Sequence, residues 1–314
     1  MISYYKTDYG QMYISSIEDF MKSKEYSDLT GKVQLILTSP PFPLNKKKEY
    51  GNLQGNEFKN WLAGLANGLT DMLTHDGSIV IEMGNGWEPN SPTFSTLPLE
   101  SLLQFKEAAG LYLCQEFICY NPARLPSPAQ WVTIERIRTI DSYTRLWWMS
   151  KSERPKADNR KVLRPYSKRM EKLLSNKSYN SGKRPSNHVI GEKSFLKDNS
   201  GSIMPNVIQV QDIMEPGSAR MPENIFSISN TNSNTQYINA CKSKNIVPHP
   251  ARMPIELVEF FIQFLTDEGD IIFDPFGGSN TTGFVSEKLN RLWYVTEVKK
   301  KYAEQSKLRF SFGE

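Results

Sequence analysis

The stretch Ile271-Ile272-Phe273-Asp274-Pro275-Phe276-Gly277-Gly278-Ser279-Asn280-Thr281-Thr282-Gly283 constrains the fold of this chain more than any other. A short apolar run ends on an acid, two adjacent glycines follow, and a helix-competent segment continues to about Leu289. In α/β proteins that order brings backbone N–H groups close to a ligand at the carboxyl end of a strand. The next apolar run, Leu292 to Val295, leads to Glu297, 23 residues beyond Asp274. A carboxylate there is placed to accept the two hydroxyls of a ribose. Strand, glycines, helix and acid together predict a nucleoside-cofactor site that includes Asp274, Gly277, Gly278 and Glu297.

The chemistry of the turn narrows the cofactor. Gly278 and Gly283 have the glycine spacing of a phosphate-binding loop, but Phe284 and Val285 occupy the lysine and hydroxyl positions such a loop needs. A nucleoside triphosphate is thereby excluded. The dinucleotide pattern GxGxxG is also absent, and the Asp274 carboxylate would repel a pyrophosphate while suiting an amino-acid ammonium group. S-adenosylmethionine is the cofactor these residues favour.

A second α/β unit stands near the amino terminus. Val33-Gln34-Leu35-Ile36-Leu37, bounded by Gly31 and Ser39-Pro40-Pro41, reads as a buried parallel strand. Trp61, Leu62, Leu65, Leu69, Met72 and Leu73 recur at helical spacing, with an end expected before Asp76-Gly77, and Ser78 to Met83 reads as the next strand. A loop from Gly84 to Pro98, a helix near Leu99 to Ala109, and strands at Tyr112 to Tyr120 and Thr144 to Met149 follow, placed at the far edge of the sheet. Between about Pro155 and Pro248 the periodicity fades, apart from Met204 to Val210, and a loop-rich insertion with little core of its own is expected. Pro254 then opens a helix carrying Leu257, Val258, Phe261, Ile262 and Leu265.

At the end of the first strand stands Thr38-Ser39-Pro40-Pro41-Phe42. Adjacent prolines stiffen the backbone and leave carbonyl oxygens free to accept hydrogen bonds. An exocyclic base amine needs such acceptors: held by the Pro40 carbonyl and the Ser39 hydroxyl, its lone pair can be aimed at a methyl donor. Phe42 would stack on the base, which must leave its duplex to enter a pocket of this kind.

Composition fits a soluble protein: of 314 residues, 39% are apolar and 23% charged, and no apolar run approaches the roughly 18 residues of a membrane span. No membrane partner and no secretion signal are expected. Cys114, Cys119 and Cys241 suit neither a zinc site nor a disulfide framework, which points to a reducing cytoplasm. No metal is implied. The net charge of +4 is unevenly spread: residues 151–200 hold 14 Lys+Arg against 5 Asp+Glu, leaving −5 for the remainder. That stretch falls between the two α/β units, and on composition alone it reads equally as a solvated surface or as a surface for a polyanion.

Ser39-Pro40-Pro41-Phe42 resembles the catalytic SPP[YF] motif of amino-methylating DNA methyltransferases, and Asp274 to Thr282 resembles their DPFxGSGTT cofactor motif. The order, catalytic motif first and cofactor motif last, is that of the beta, circularly permuted class, and the likeness is closest to its cytosine-N4 members. It extends through Lys46-Lys47-Lys48-Glu49-Tyr50-Gly51, Leu125 to Pro128, Trp131 to Arg136, Lys183 to Ser186 and His249 to Pro254. The resemblance implies a Rossmann-like, S-adenosylmethionine-dependent α/β sheet, circularly permuted, around a loop-rich DNA-recognition insertion. Residues 1–154 would form the catalytic half, 155–248 the target-recognition region and 249–314 the cofactor-binding half.

By position, the resemblance implies Ser39, Pro40, Pro41 and Phe42 for the target base. It implies Asp274, Phe276, Gly278, Ser279, Asn280 and Thr281 for the methionine end of the cofactor, Glu297 for the ribose, and His249 and Pro250 to close the same pocket. Where the family has Gly-Asp to contact the adenine amine, this chain has Ser15-Ser16, so Ser16, Asp19 or a backbone group is expected there. Lys46, Lys47, Lys48, Lys183, Arg184, Ser186 and His188 are expected to face DNA, with Asn187 standing where the family has Gly. His75 reads as a helix-end surface residue, and Trp147 and Trp148 as sheet packing.

The implied activity is methylation of cytosine N4 at a specific duplex site, CAGCTG being the default, by a monomer belonging to a restriction-modification system with a cognate restriction endonuclease. Adenine-N6 methylation and a catalytically silent DNA-binding protein are the alternatives. A cytosine-C5 enzyme would need a Pro-Cys nucleophile, and Leu113, Ile118 and Ala240 precede the three cysteines.

Overall fold

The computed structural model describes residues 1–42, 53–211, 226–229 and 232–310. The chain opens with β1 (Tyr5–Lys6), β2 (Gly10–Ile14), α1 (Ile17–Phe20), α2 (Lys24–Leu29), β3 (Val33–Thr38), α3 (Gly55–Met72) and β4 (Leu73–Gly84). α4 (Leu97–Ala108), β5 (Tyr112–Tyr120) and β6 (Tyr143–Ser150) follow. The middle holds α5 (Lys168–Asn176), β7 (Gly182–Lys183), β8 (Val189–Ile190), β9 (Val207–Gln211), β10 (Phe226–Ser229) and α6 (Asn232–Ser243). α7 (Ile255–Leu265), β11 (Ile271–Asp274), α8 (Thr281–Lys288), β12 (Leu292–Glu297) and α9 (Lys300–Ser306) complete it.

Ten strands form one sheet in the order β1-β2-β12-β11-β3-β4-β6-β5-β9-β10. Neighbours from β2 to β4 are parallel, and β6 runs antiparallel to both β4 and β5. The two ends of the chain build the centre together, since β11 and β12 insert between β2 and β3. This is the mixed α/β sheet expected of a permuted methyltransferase.

Both faces of the sheet are covered, which is why all six residues of β3 are buried although the run does not alternate. On one face Val33, Ile36 and Phe273 pack against Phe58, Leu62, Leu65 and Leu69 of α3. Those α3 residues lie three or four apart and so share one stripe. On the other face Leu35, Leu37 and Ile272 pack against α7 and Val285 of α8. The helices that follow the adjacent strands β3 and β11 therefore lie on opposite faces, α3 on one and α8 on the other. Such a switch point opens a crevice at the carboxyl ends of the strands.

Three expectations are adjusted. α3 ends before Asp76-Gly77 as expected, at Met72, but β4 begins at Leu73 rather than Ser78 and takes Asp76-Gly77 inside it, where its register against β3 shifts. β5 and β6 are not at the sheet edge, because β9 pairs in parallel with β5 and β10 lies outside it. The middle region has more core than its periodicity suggested: Val162 and Ile208 join the α7 cluster, and α6 buries Tyr237 and Cys241. In α6 these two anchors stand four apart on an otherwise polar helix, too sparse a stripe to read from sequence. Trp147 and Trp148 pack in the sheet as expected, and no helix of the described residues is long and apolar enough to cross a membrane.

Candidate active site

A cleft of about 1040 Å³ opens where β3, β4, β11 and β12 end, and Ser39, Glu82, Asp274 and Glu297 from those ends line it. Its floor is the turn after β11. A Cβ on Gly277 would lie 2.2 Å from Val295 Cγ1, and one on Gly278, whose φ is +52°, would meet the His249 ring at 3.0 Å. Only glycine lets the backbone come this close at both positions. The Gly278 N–H donates to Glu297 Oε2 at 2.8 Å, and the Lys299 N–H donates to Oε1 at 2.8 Å. Burial still raises the Glu297 carboxyl above its ordinary value, against those two bonds.

Asp274 is held more tightly. Its Oδ1 accepts from Thr38 Oγ1 at 2.7 Å and from the Phe276 N–H at 3.0 Å, and its Oδ2 accepts from Thr282 Oγ1 at 2.8 Å. Burial raises this carboxyl too. With Glu18, Glu57 and Glu82, five carboxylates line the cleft against the guanidinium groups of Arg124 and Arg252. The balance suits a ligand carrying positive charge and disfavours a polyphosphate.

Ser39, Pro40, Pro41 and Phe42 all line the same cleft. The Phe42 ring lies so near β4 that a Cβ on Gly84 would sit 2.9 Å from it. Beside Ser39 stands Glu82, which sequence reasoning did not single out. Thr144 Oγ1 donates to Glu82 Oε1 at 3.1 Å, and the Ser39 hydroxyl stands near enough to this carboxylate to favour its charged form. Burial raises the Glu82 carboxyl, with Thr144, Ser39 and Arg124 opposing the rise. An acid closing the apolar run Ile79 to Ile81 was the available signal.

At the other end of the cleft, Ser16 accepts the Asp19 N–H at 3.1 Å as the cap of α1 and lines the cavity. Asp19 is exposed, paired with Lys22, and is not among the lining residues; Glu18 is. Trp61 Nε1 donates to Glu18 Oε1 at 2.6 Å, and the Trp61 ring stands 5.6 Å from Phe276. Glu18 and Trp61 were missed because nothing local marks them. His249 and Pro250 close the cleft, the His249 ring edge-on to Tyr302 at 4.3 Å.

Ser279 and Thr281 line the cleft, but Asn280 does not. Its side chain accepts the Gly283 N–H at 2.9 Å and donates to the Tyr5 hydroxyl at 2.9 Å. Asn280 caps α8 from a left-handed backbone rather than facing a ligand. Lys46, Lys47 and Lys48 lie outside the described residues. Lys183, Arg184, Ser186 and His188 belong to the β7–β8 hairpin, with Lys183, Ser186 and His188 exposed. Asn187 has φ +62°, the conformation a glycine would take without strain at that turn. His75 is exposed, within β4 rather than at a helix end.

A glycine cradle and acidic nucleoside pocket at a sheet switch point, beside a Ser-Pro-Pro-Phe amine site, define a base amino-methyltransferase. The chain belongs to the N6_N4_Mtase family of DNA methylases, which it matches over residues 33–308. It is 42% identical over 308 residues to the Type II methyltransferase M.PvuII of Proteus hauseri, covering 98% of this chain and 85% of that protein. The solved structure of PvuII DNA methyltransferase (cytosine-N4-specific) matches at TM-score 0.72 and 33% identity in structural alignment, over 98% of this chain and 88% of that one. The M1.HpyAVI–SAM complex shares the fold at TM-score 0.53 and 17% identity, over 96% and 98% of the two chains.

Proposed function

We infer that this protein is a site-specific DNA methyltransferase that moves a methyl group from S-adenosylmethionine to the N4 amine of a cytosine in duplex DNA. The observation that carries the reading is the sharing of one cleft by the Ser39–Glu82 pair and the Gly277–Gly278–Glu297 cradle. Relationship to a Type II, cytosine-N4-specific enzyme supports the same chemistry and a role in restriction-modification.

The residues fit the cofactor. Two glycines admit close approach, the Glu297 carboxylate keeps lone pairs beyond its two backbone bonds for ribose hydroxyls, and the acidic lining suits a sulfonium and an ammonium. Ser16, Glu18 and Trp61 would hold the adenine end, joined by Phe276, which is moved from the methionine end because its ring stands against Trp61, and Asp274, Ser279, Thr281, His249 and Pro250 would hold the amino-acid end. When bound, the cofactor supplies an electrophilic methyl group.

Cytosine flipped into the cleft would offer its amine to the Ser39 hydroxyl and the Pro40 carbonyl, with Phe42 against the ring. Holding both N–H bonds directs the nitrogen lone pair out of conjugation and toward the methyl. The new N–C bond forms as the S–C bond breaks, and the nitrogen must then shed one proton. Glu82, which shares the cleft with Ser39, is placed to accept it through the serine hydroxyl. The Lys183–His188 hairpin and the basic 151–200 stretch would grip phosphates. Residues 1–154 and 249–314 act as one catalytic unit around a recognition region at 155–248.

The protein acts as a monomer, modifying each strand of a palindrome in turn, on the same site as a cognate endonuclease. Mapping methylated positions in plasmid DNA treated with the purified protein tests this reading. Modification of cytosines at one palindromic site, CAGCTG being the first to score, is expected; DNA binding without methyl transfer would leave only a silent DNA-binding protein.

A further inference from the structure

Arg309, one residue past the end of the family match, is buried at 7% exposure beneath the cofactor turn. Its Nε donates to the Ser279 carbonyl at 2.7 Å and its Nη2 to Ser279 Oγ at 3.0 Å. A single planar fork thus holds both the backbone and the side chain of one loop residue, which an ammonium could not do. Arg309 Cζ also sits 4.4 Å from the centre of the Tyr237 ring on α6. The Tyr237 hydroxyl in turn accepts the His249 N–H at 3.5 Å, and the His249 ring is what a Cβ on Gly278 would strike.

Burying a cation is a poor way to gain stability, since an apolar side chain of similar volume often serves as well. Burial lowers the Arg309 pKa to about 10, so the group remains a cation at neutral pH. Its contacts converge on the turn that faces the cleft.

We propose that Arg309 is a positioning residue for the cofactor, fixing Ser279 directly and, through Tyr237, the His249 segment against the Gly278 turn. This role rests on the reading of the cleft as an S-adenosylmethionine site. Losing the bidentate geometry should weaken cofactor binding by about tenfold or more, the scale of one or two charge-assisted hydrogen bonds.

The test compares Arg309→Lys, Arg309→Met and Tyr237→Leu with the unaltered protein. Affinity for S-adenosylmethionine is read by calorimetry, affinity for a labelled duplex without cofactor by anisotropy, and folding by thermal melting. The expected result for Arg309→Lys is a selective loss of cofactor affinity and a raised KM for cofactor, with duplex affinity unchanged and kcat at saturating cofactor largely kept. Tyr237→Leu should show the same selectivity to a smaller degree, and it supplies the answer if Arg309→Met does not fold. Unchanged cofactor affinity in Arg309→Lys and Tyr237→Leu, or a parallel fall of cofactor binding, duplex binding and melting temperature, would overturn the role. If the unaltered protein binds no cofactor, the functional reading itself fails.

Discussion

The Gly278 N–H donates to Glu297 Oε2 at 2.8 Å, so the acid at the end of β12 is fixed by the glycine turn beside it in the cleft. The glycine turn and the acid, predicted from the sequence to share one site, form a single hydrogen-bonded cradle. Glu297→Ala removes both the acceptor of that N–H and the proposed ribose contact. Cofactor affinity should fall roughly 10- to 100-fold, with duplex binding retained. Calorimetry with S-adenosylmethionine checks this, and an unchanged dissociation constant would refute the ribose role.

Gly277→Ala should distort the cradle by steric conflict alone, because the new methyl would lie 2.2 Å from Val295 Cγ1. Overpacking of this kind costs about 1–3 kcal/mol. Combining it with Val295→Ala makes room and should recover part of the lost cofactor affinity. No recovery in the double variant would mean that the close packing is not the reason for glycine.

Phe42→Ala and Ser39→Ala should act on chemistry rather than on cofactor binding. Both residues follow β3, whereas Glu297 ends β12, two strands along in the sheet. A fall in kcat of about 10²–10³ is expected for Ser39→Ala, the scale of one lost positioning hydrogen bond in a transition state. Single-turnover kinetics with saturating cofactor measures it; equal loss of cofactor affinity would contradict the division of roles.

Glu82 gives the cleft a pH signature. Its carboxyl is raised by burial above the ordinary 4.5, so folding favours the protonated form. The stability this contributes is fully present below pH 4.5 and is lost as pH rises through the raised value. Glu82→Gln should therefore flatten that decline in denaturant titrations across the window, while slowing methyl transfer through loss of the proton acceptor. A variant whose stability falls with pH as steeply as the parent would show that Glu82 is not the source.

Duplex binding should weaken steeply with salt, given the +9 balance of residues 151–200. Replacing Lys183 and Arg184 by Ala should lower the slope of log K against log salt by about 1–2. An unaltered slope would place the phosphate contacts elsewhere.

The centre of the fold was legible because β3 and β11 are short apolar runs, each ending at a turn whose chemistry is written in adjacent residues. Ser39 to Phe42 and Asp274 to Gly278 could be read together for that reason. Glu18, Trp61, Tyr302 and Arg309 reach the cleft or its underside from distant segments, through packing no local pattern records, whereas Glu82 was marked only by closing the apolar run Ile79 to Ile81. Asn280 shows the converse: a residue inside a motif whose side chain turned out to cap α8 and meet Tyr5. Likewise β9 joined the main sheet because its neighbour β5 offered a pairing edge, a tertiary fact that weak periodicity could not convey.

The central claim is methyl transfer to an exocyclic cytosine amine, and the most direct measurement is mass spectrometry of nucleosides from duplex DNA incubated with the protein and S-adenosylmethionine. N4-methylcytosine is the expected product, abolished or greatly reduced by Ser39→Ala. N6-methyladenine without N4-methylcytosine would contradict it.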